Sequence, residues 1–256
     1  MTNTPLFTII TVCYNSEKTI ERTLKSVLGQ TEADYEYLII DGASTDGTLD
    51  IVRAYEDKFG GRLKIFSEKD NGIYDAMNKG IGKASGTLIG MVNSDDYYET
   101  DALANMKKAY EALSEDKRGY AILYGMQRRL RNGEEIEIEF VNDRILGESM
   151  ICHPTCFITK DVYRDFGLYD TAYRSAADLD FLLRIKNTTD THFVPVYNII
   201  SNFELGGMSA SGRGAREAAR VRYKYGVYSR LRMSYVIMQS RIIDFVHCLK
   251  RIGKRP

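Results

Sequence analysis

Apolar residues fall into short unbroken runs that alternate with stripes at helical spacing. The first run, Phe7-Thr8-Ile9-Ile10-Thr11-Val12, is apolar and β-branched with little polar alternation, as in a strand buried on both faces. It ends at Cys13-Tyr14-Asn15, after which Ser16 is placed to cap a helix striped by Ile20, Leu24, Val27 and Leu28 and stopped by Gly29. Residues 37–40 and 63–66 repeat the strand pattern, followed by helical stripes at Leu49, Val52, Tyr55 and at Ile73, Met77, Ile81. A fourth run, residues 87–92, stops abruptly at Asn93-Ser94-Asp95-Asp96. Strands alternating with helices imply right-handed crossovers, hence an α/β fold with a mainly parallel sheet flanked by helices.

The second half is less regular. A helix is expected over residues 101–113 and a strand over residues 121–124. Arg131-Asn132-Gly133-Glu134 has the chemistry of a tight hairpin turn. Residues 153–158 are expected as a strand, and Gly167 ends a short helix that begins after Lys160. Asp178 follows Ala176 and Ala177 and precedes a helix pinned by Leu179, Leu182 and Leu183. Two further strand-like runs lie at residues 192–196 and 199–203, before Gly206-Gly207-Met208-Ser209.

Four successive strands thus end in polar clusters: Asn15, Asp41, Asp70, and the pair Asp95 and Asp96. In a parallel sheet those ends share one edge, where open α/β sheets take their ligands. The loop after Val12 lacks the glycine fingerprint of dinucleotide-binding domains, and no Walker glycine loop is present. Adjacent carboxylates repel one another and favour a hard cation and an anionic substrate. The same acids have plain structural readings: Asp178 as a helix cap, Asp41 and Asp46 as turn formers, Asp75 as a first-turn helix acid. Among the histidines, His153 precedes a proline in a loop and is a candidate substrate contact. His192 and His247 lack a partner at ligand spacing.

With 256 residues the chain has room for one large α/β domain with an appendage. No run approaches the roughly 18 apolar residues of a membrane span, and residues near Met1 lack a signal peptide's apolar core. Cys13, Cys152, Cys156 and Cys248 form no CxxC pair and are read as reduced thiols of a cytoplasmic protein. A net charge of zero conceals a strong division. Residues 213–256 hold 12 Lys/Arg against 2 Asp/Glu, and residues 1–212 hold 23 against 33. The division sets a domain of residues 1–212 apart from a basic tail of residues 213–256. Leu231, Tyr235, Met238, Ile242, Phe245 and Leu249 stripe one long amphipathic helix there. It can lie on the domain of residues 1–212, pair with a second chain as a homodimer, or rest on an anionic membrane. Nucleic acid is not an expected partner, because the rest of the chain is acidic.

Four motifs in order carry a resemblance: Thr11-Val12-Cys13-Tyr14-Asn15, Asp41-Gly42-Ala43-Ser44-Thr45-Asp46-Gly47-Thr48, residues 67–80, and Asn93-Ser94-Asp95-Asp96. Over residues 6–210 the sequence resembles family-2 glycosyltransferases of the GT-A fold, inverting enzymes that use nucleotide-diphosphate sugars. The run Ser67-Glu68-Lys69-Asp70-Asn71-Gly72-Ile73-Tyr74-Asp75-Ala76-Met77-Asn78-Lys79-Gly80 is similar to the subgroup that builds bacterial O-antigen and capsular units. The resemblance implies a UDP-sugar donor and a Mn2+ or Mg2+ cofactor. It implies a glycan or polyisoprenyl-diphosphate-linked acceptor, and an enzyme in the cytoplasm or peripheral at the inner face of the cell membrane. It places Thr11, Tyr14, Asn15, Asp41, Asp70, Asn93 and Asp95 at the nucleotide, and Asp95 and above all Asp96 at the metal. Asp178 matches the catalytic base, and Gly206 and Gly207 the loop that closes near acceptor and diphosphate. Asn93 departs from the pattern, because an acid often stands there. Two rivals are a nucleotidyltransferase, which typically carries a glycine-rich basic phosphate loop, and a silent nucleotide-sugar or membrane scaffold.

Overall fold

The computed structural model describes residues 4–188, 190–205 and 212–252, with side chains described as far as Phe245. The first half alternates as read from the sequence: β1 (Phe7–Cys13), α1 (Ile20–Leu28), β2 (Tyr35–Asp41), α2 (Thr48–Arg53), β3 (Leu63–Ser67), α3 (Ile73–Lys83) and β4 (Leu88–Met91). Next come β5 (Tyr97–Tyr98), α4 (Ala102–Glu111), α5 (Glu115–Arg118), β6 (Ala121–Arg131) and β7 (Glu134–Glu139). The remainder is β8 (Phe157–Thr159), α6 (Lys160–Phe166), α7 (Ala177–Lys186), β9 (His192–Glu204), α8 (Gly212–Lys224) and α9 (Arg230–Ile252).

One mixed sheet of nine strands runs β3-β2-β1-β4-β8-β6-β9-β5, with β7 paired to β6. β3, β2, β1 and β4 are mutually parallel, while β8 is antiparallel to both β4 and β6. Every residue of β1, β2 and β4 is buried, as expected where helices cover both faces. One face packs Ile10, Leu38 and Ile40 against Met77 and Ile81 of α3, with Leu179 and Leu182 of α7 in the same core. The other packs Phe7, Ile9 and Ile39 with Leu24 and Val27 of α1 and Leu103 and Met106 of α4. A Cβ on Gly80 would lie 2.7 Å from Ile10, so only glycine lets α3 sit this close to β1.

The local expectations hold in most places and fail in three. Ser16 does not cap α1 through its side chain. The N-cap is Thr19, and the Ser16 carbonyl accepts the N–H groups of Thr19 and Ile20. Residues 153–155 form a 3-10 turn and only residues 157–159 pair as strand, because Pro154 offers no N–H to a ladder. The two runs after residue 191 are one strand, β9, whose register against β6 shifts twice near Met126. At the predicted hairpin, Asn132 and Gly133 both take positive φ, 54° and 80°.

Among the described residues no helix is long and apolar enough to cross a membrane. The charge division at residue 212 does not coincide with a gap in packing: Val221 of α8 is fully buried in the core shared with α3 and α7. α9 folds back along α8, where the Ser240 hydroxyl donates to the Gly212 carbonyl and Arg216 pairs with Asp244. The opposite side of α9 is open, with Leu231, Tyr235, Met238, Ile242 and Phe245 all exposed.

Candidate functional site

The carboxyl ends of the parallel strands are tied into one continuous rim. The Gly42 N–H donates to the Cys13 carbonyl and the Glu68 N–H to the Asp41 carbonyl, joining the ends of β1, β2 and β3. Asp41 lies at the middle of this junction and is fully buried. Its carboxylate accepts from the Ser44 N–H at 3.1 Å, the Ser44 hydroxyl at 2.5 Å, the Ser67 hydroxyl at 2.6 Å and the Cys13 thiol at 3.7 Å. Burial first, and then Asp41, push that thiol well above its ordinary range, so it stays a donor. Any direct bond from Asp41 to a ligand must displace one of these.

Around Asp41 the rim is more open. Tyr14 is 63% exposed and its ring lies beside Gly42. Asn15 takes φ 50°, donates its N–H to the Ser44 hydroxyl and accepts the Thr45 N–H on Oδ1. Asp70 also faces Gly42, and its Oδ1 accepts from Lys79 at 2.7 Å. Thr11 is the predicted site residue that does not reach the rim. It is fully buried within β1, and its hydroxyl bonds Tyr37.

The loop after β4 joins this rim through a 2.8 Å bond between the hydroxyls of Ser16 and Ser94. Asp96 is fully buried, yet among the described residues its carboxylate has only two long contacts, Asn93 Nδ2 and the Glu204 N–H, both at 3.4 Å. Burial, then the neighbouring Asp95, push its carboxyl well above the ordinary range. Arg22 donates to the Asp95 carbonyl at 2.7 Å. Among the described residues no Lys or Arg forms an ion pair with either carboxylate, and no three acids, histidines or cysteines gather as a cage for a metal.

The fifth element of the site enters from α7. Asp178 is half-buried in its first turn, and Asp178 Oδ1 accepts from Tyr74 Oη at 3.0 Å and from the Leu179 N–H at 2.9 Å. Tyr74 sits at the start of α3, two residues after Gly72, whose φ of 119° turns the chain out of the Asp70 loop. Burial first, then Asp178, keep the Tyr74 hydroxyl protonated far above the ordinary phenol range, so it serves Asp178 as a donor. His153 bonds Tyr169 at 2.8 Å, and Tyr169 stacks obliquely on Tyr74, with ring centroids 5.7 Å apart. Burial lowers the pKa of this imidazole against the opposing pull of Asp178. The fold therefore gathers Tyr14, Asn15, Asp41, Asp70, Asn93, Asp95 and Asp96 along the joined strand ends, while Asp178 and His153 meet Tyr74 and Tyr169 at the start of α3. Gly206 and Gly207 lie outside the described residues. Tyr74 and Tyr169 escaped the sequence reading. Tyr74 stands within the run of residues 67–80, but off the Ile73, Met77, Ile81 stripe of α3.

The chain belongs to the glycosyl transferase family 2, whose model matches residues 8–164, from β1 through most of α6. A relative from Mycobacterium bovis, "PGL/p-HBAD biosynthesis glycosyltransferase", is 31% identical over 207 residues, which cover 80% of this chain and 79% of the relative. The putative teichuronic acid biosynthesis glycosyltransferase TuaG of Bacillus subtilis is 40% identical over 105 residues, 40% of this chain and 41% of that one. Among solved structures, residues 1–349 of S. aureus TarS in complex with UDP-GlcNAc align with a TM-score of 0.69 at 21% identity, covering 91% of this chain and 71% of that one. The chain spans 41% of the longer TarS chain. Mannosyltransferase PcManGT from Pyrobaculum calidifontis, in complex with GDP-Man and Mn2+, gives a TM-score of 0.69 at 16% identity, covering 94% and 74%. These likenesses show the GT-A fold, and the family sets aside the nucleotidyltransferase reading.

Proposed function

We propose that the protein is a metal-dependent, inverting glycosyltransferase. It would move a sugar from a UDP-sugar to a hydroxyl of a glycan or polyisoprenyl-diphosphate-linked acceptor, in the assembly of a bacterial cell-surface polysaccharide such as O-antigen or capsule. The observation that carries the reading is Asp96: a buried carboxyl beside a second one, with two long contacts and no direct ion pair among the described residues, Arg22 acting on it only from a distance. The named roles of the two relatives in PGL/p-HBAD and teichuronic acid biosynthesis support the acceptor class, and the UDP-GlcNAc of TarS supports the donor.

Asp95 and Asp96 supply two carboxylates, enough for Mn2+ or Mg2+ when water and the donor's diphosphate complete the shell. A bound cation of this kind neutralises charge that builds on the departing diphosphate. Tyr14 offers an exposed ring to the base, and Asn15, Asp70 and Asn93 offer acceptors to nucleoside N–H and hydroxyl groups. Asp178 accepts the proton of the acceptor hydroxyl as that oxygen bonds the anomeric carbon and the bond to UDP breaks. Tyr74 holds the carboxylate by one oxygen, and Asp178 Oδ2 has no bond among the described residues. Asp178→Asn keeps shape and removes the basic site, so turnover should fall roughly 10²-fold or more with UDP affinity unchanged. Mass spectrometry of products from a panel of nucleotide sugars, with calorimetry for UDP, checks this. Near-normal turnover in Asp178→Asn moves the base elsewhere.

The tail gives the reading a location. An exposed apolar stripe on α9, within a segment of 12 basic and 2 acidic residues, fits the surface of an anionic leaflet. Sedimentation with acidic-lipid vesicles should weaken as salt rises and be lost in Met238→Asp/Ile242→Asp. Loss of a dimer, instead of loss of vesicle binding, assigns the stripe to a second copy of the chain.

A further inference from the structure

α8 belongs to the basic tail by composition, yet one of its faces grips the segment that carries Asp178. Glu217, Val221 and Lys224 fall at i, i+4 and i+7, so they share that face. Val221 is fully buried. Glu217 Oε2 accepts from the N–H groups of Arg174 at 2.9 Å and Ser175 at 2.8 Å. α7 has no side-chain cap of its own at Ala176, so these bonds fix its entry from outside. Arg174 in turn donates to the Asn71 carbonyl, and a Cβ on Gly72 would lie 2.6 Å from its guanidinium. Beyond Asp178, Lys224 donates to Asp180 Oδ1 at 2.7 Å. Asp180 is 1% exposed, and its Oδ2 is buried without a partner, so Lys224 is the charge that makes this carboxylate tolerable. The α8 contacts therefore bracket Asp178 at positions 174–175 and 180.

We propose that α8 is a positioning element of the transfer reaction, with Glu217 and Lys224 holding the Asp178 segment in register with Tyr74 and the rim. The inference rests on the role of Asp178 given above and adds two residues that reach it only through the backbone of the 174–180 segment. A packing role alone would affect stability. A positioning role predicts a specific kinetic pattern, because an acid moved by a fraction of an ångström misses the acceptor proton while the distant nucleotide is held as before.

The test measures UDP release from the UDP-sugar that the donor panel identifies, with thermal midpoints alongside. Lys224→Met and Glu217→Ala should each lower kcat about tenfold, with KM for the UDP-sugar within about twofold of wild type. Lys224→Arg and Glu217→Gln, which keep the charge and the acceptor respectively, should restore most of kcat. Lys224→Met/Asp180→Leu removes the buried carboxylate together with its half-exposed partner and should recover the thermal midpoint without recovering kcat. A double variant that regains kcat with its midpoint, or single variants whose kcat stays at the wild-type value, overturns the positioning role. A wild-type protein that turns over no nucleotide sugar overturns the glycosyltransferase reading first, and this inference with it.

Discussion

The ends of β2 and β4 each carry an aspartate that is fully buried, and the two are opposites chemically. Asp41 accepts four donors from its own surroundings, two of them serine hydroxyls at 2.5 and 2.6 Å. Asp96 has two contacts at 3.4 Å and a second acid beside it. A buried carboxylate is expensive unless its oxygens are satisfied. The carboxylate at the end of β2 is therefore satisfied by the fold itself and sits in a knot joining three strands. The end of β4 is left unsatisfied among the described residues, and a cation there is what the proposed function adds. Two acids that read alike in sequence are separated by whether the fold itself satisfies them.

Breaking the contrast at β4 gives the largest expected effect. Asp96→Asn should lower turnover about 10³-fold, about 4 kcal/mol in the barrier, and make UDP affinity independent of Mn2+. The thermal midpoint should hold or rise, because a buried acid with two long contacts and a second acid beside it is replaced by a neutral amide. Asp41→Asn should behave in the reverse order. Its amide puts a donor where the Ser44 N–H and the serine hydroxyls donate, at a cost of about 2–3 kcal/mol in folding stability. UDP affinity should fall only as far as the folded fraction falls. A stable Asp41→Asn that loses UDP binding would return Asp41 to the nucleotide-contact role that the family resemblance gives it.

The same contrast explains what the sequence could and could not disclose. The unbroken runs of β1, β2 and β4 and the stripe of α3 were legible because burial on both faces leaves a strong pattern. The convergence of acids followed from parallel strands ending on one edge. Residues 153–158 have the apolar character of a strand, but the missing N–H of Pro154 leaves only residues 157–159 in the ladder. The split of β9 was illusory, since Pro195 and the polar Asn198 mark a register shift in a continuous strand, not its end. Hydrogen-bond satisfaction was illegible throughout. The donors to Asp41 include Cys13 and Ser67, 28 and 26 residues away, and the Tyr74–Asp178 bond spans 104 residues. Distances of that kind are set by tertiary packing, which no local pattern reports.

A third buried acid sharpens the comparison at the smallest scale. Glu36 stands near the start of β2, about 17 Å along the strand from Asp41, remote from the rim. Its oxygens accept from the Thr8 hydroxyl at 2.6 Å, the Ser85 N–H at 2.6 Å, the Ser85 hydroxyl at 2.7 Å and Lys64 at 2.7 Å. Burial pushes this carboxyl up, but the bonds from Lys64, Thr8 and Ser85 prevail and hold it at about 2. A depressed carboxyl favours the folded state above its unfolded value, near 4.5, and that contribution disappears as pH falls toward 2. Glu36→Gln should therefore cost about 2 kcal/mol at pH 7, allowing for screening at the exposed Lys64, and leave kcat unaltered. In paired denaturant titrations the gap between wild type and Glu36→Gln should narrow below pH 4.5 and close near pH 2. A gap that stays constant across that window means the site depends on the shape of the side chain and not on its charge. Satisfaction of the carboxylate would then be no guide to which buried acids hold the fold together.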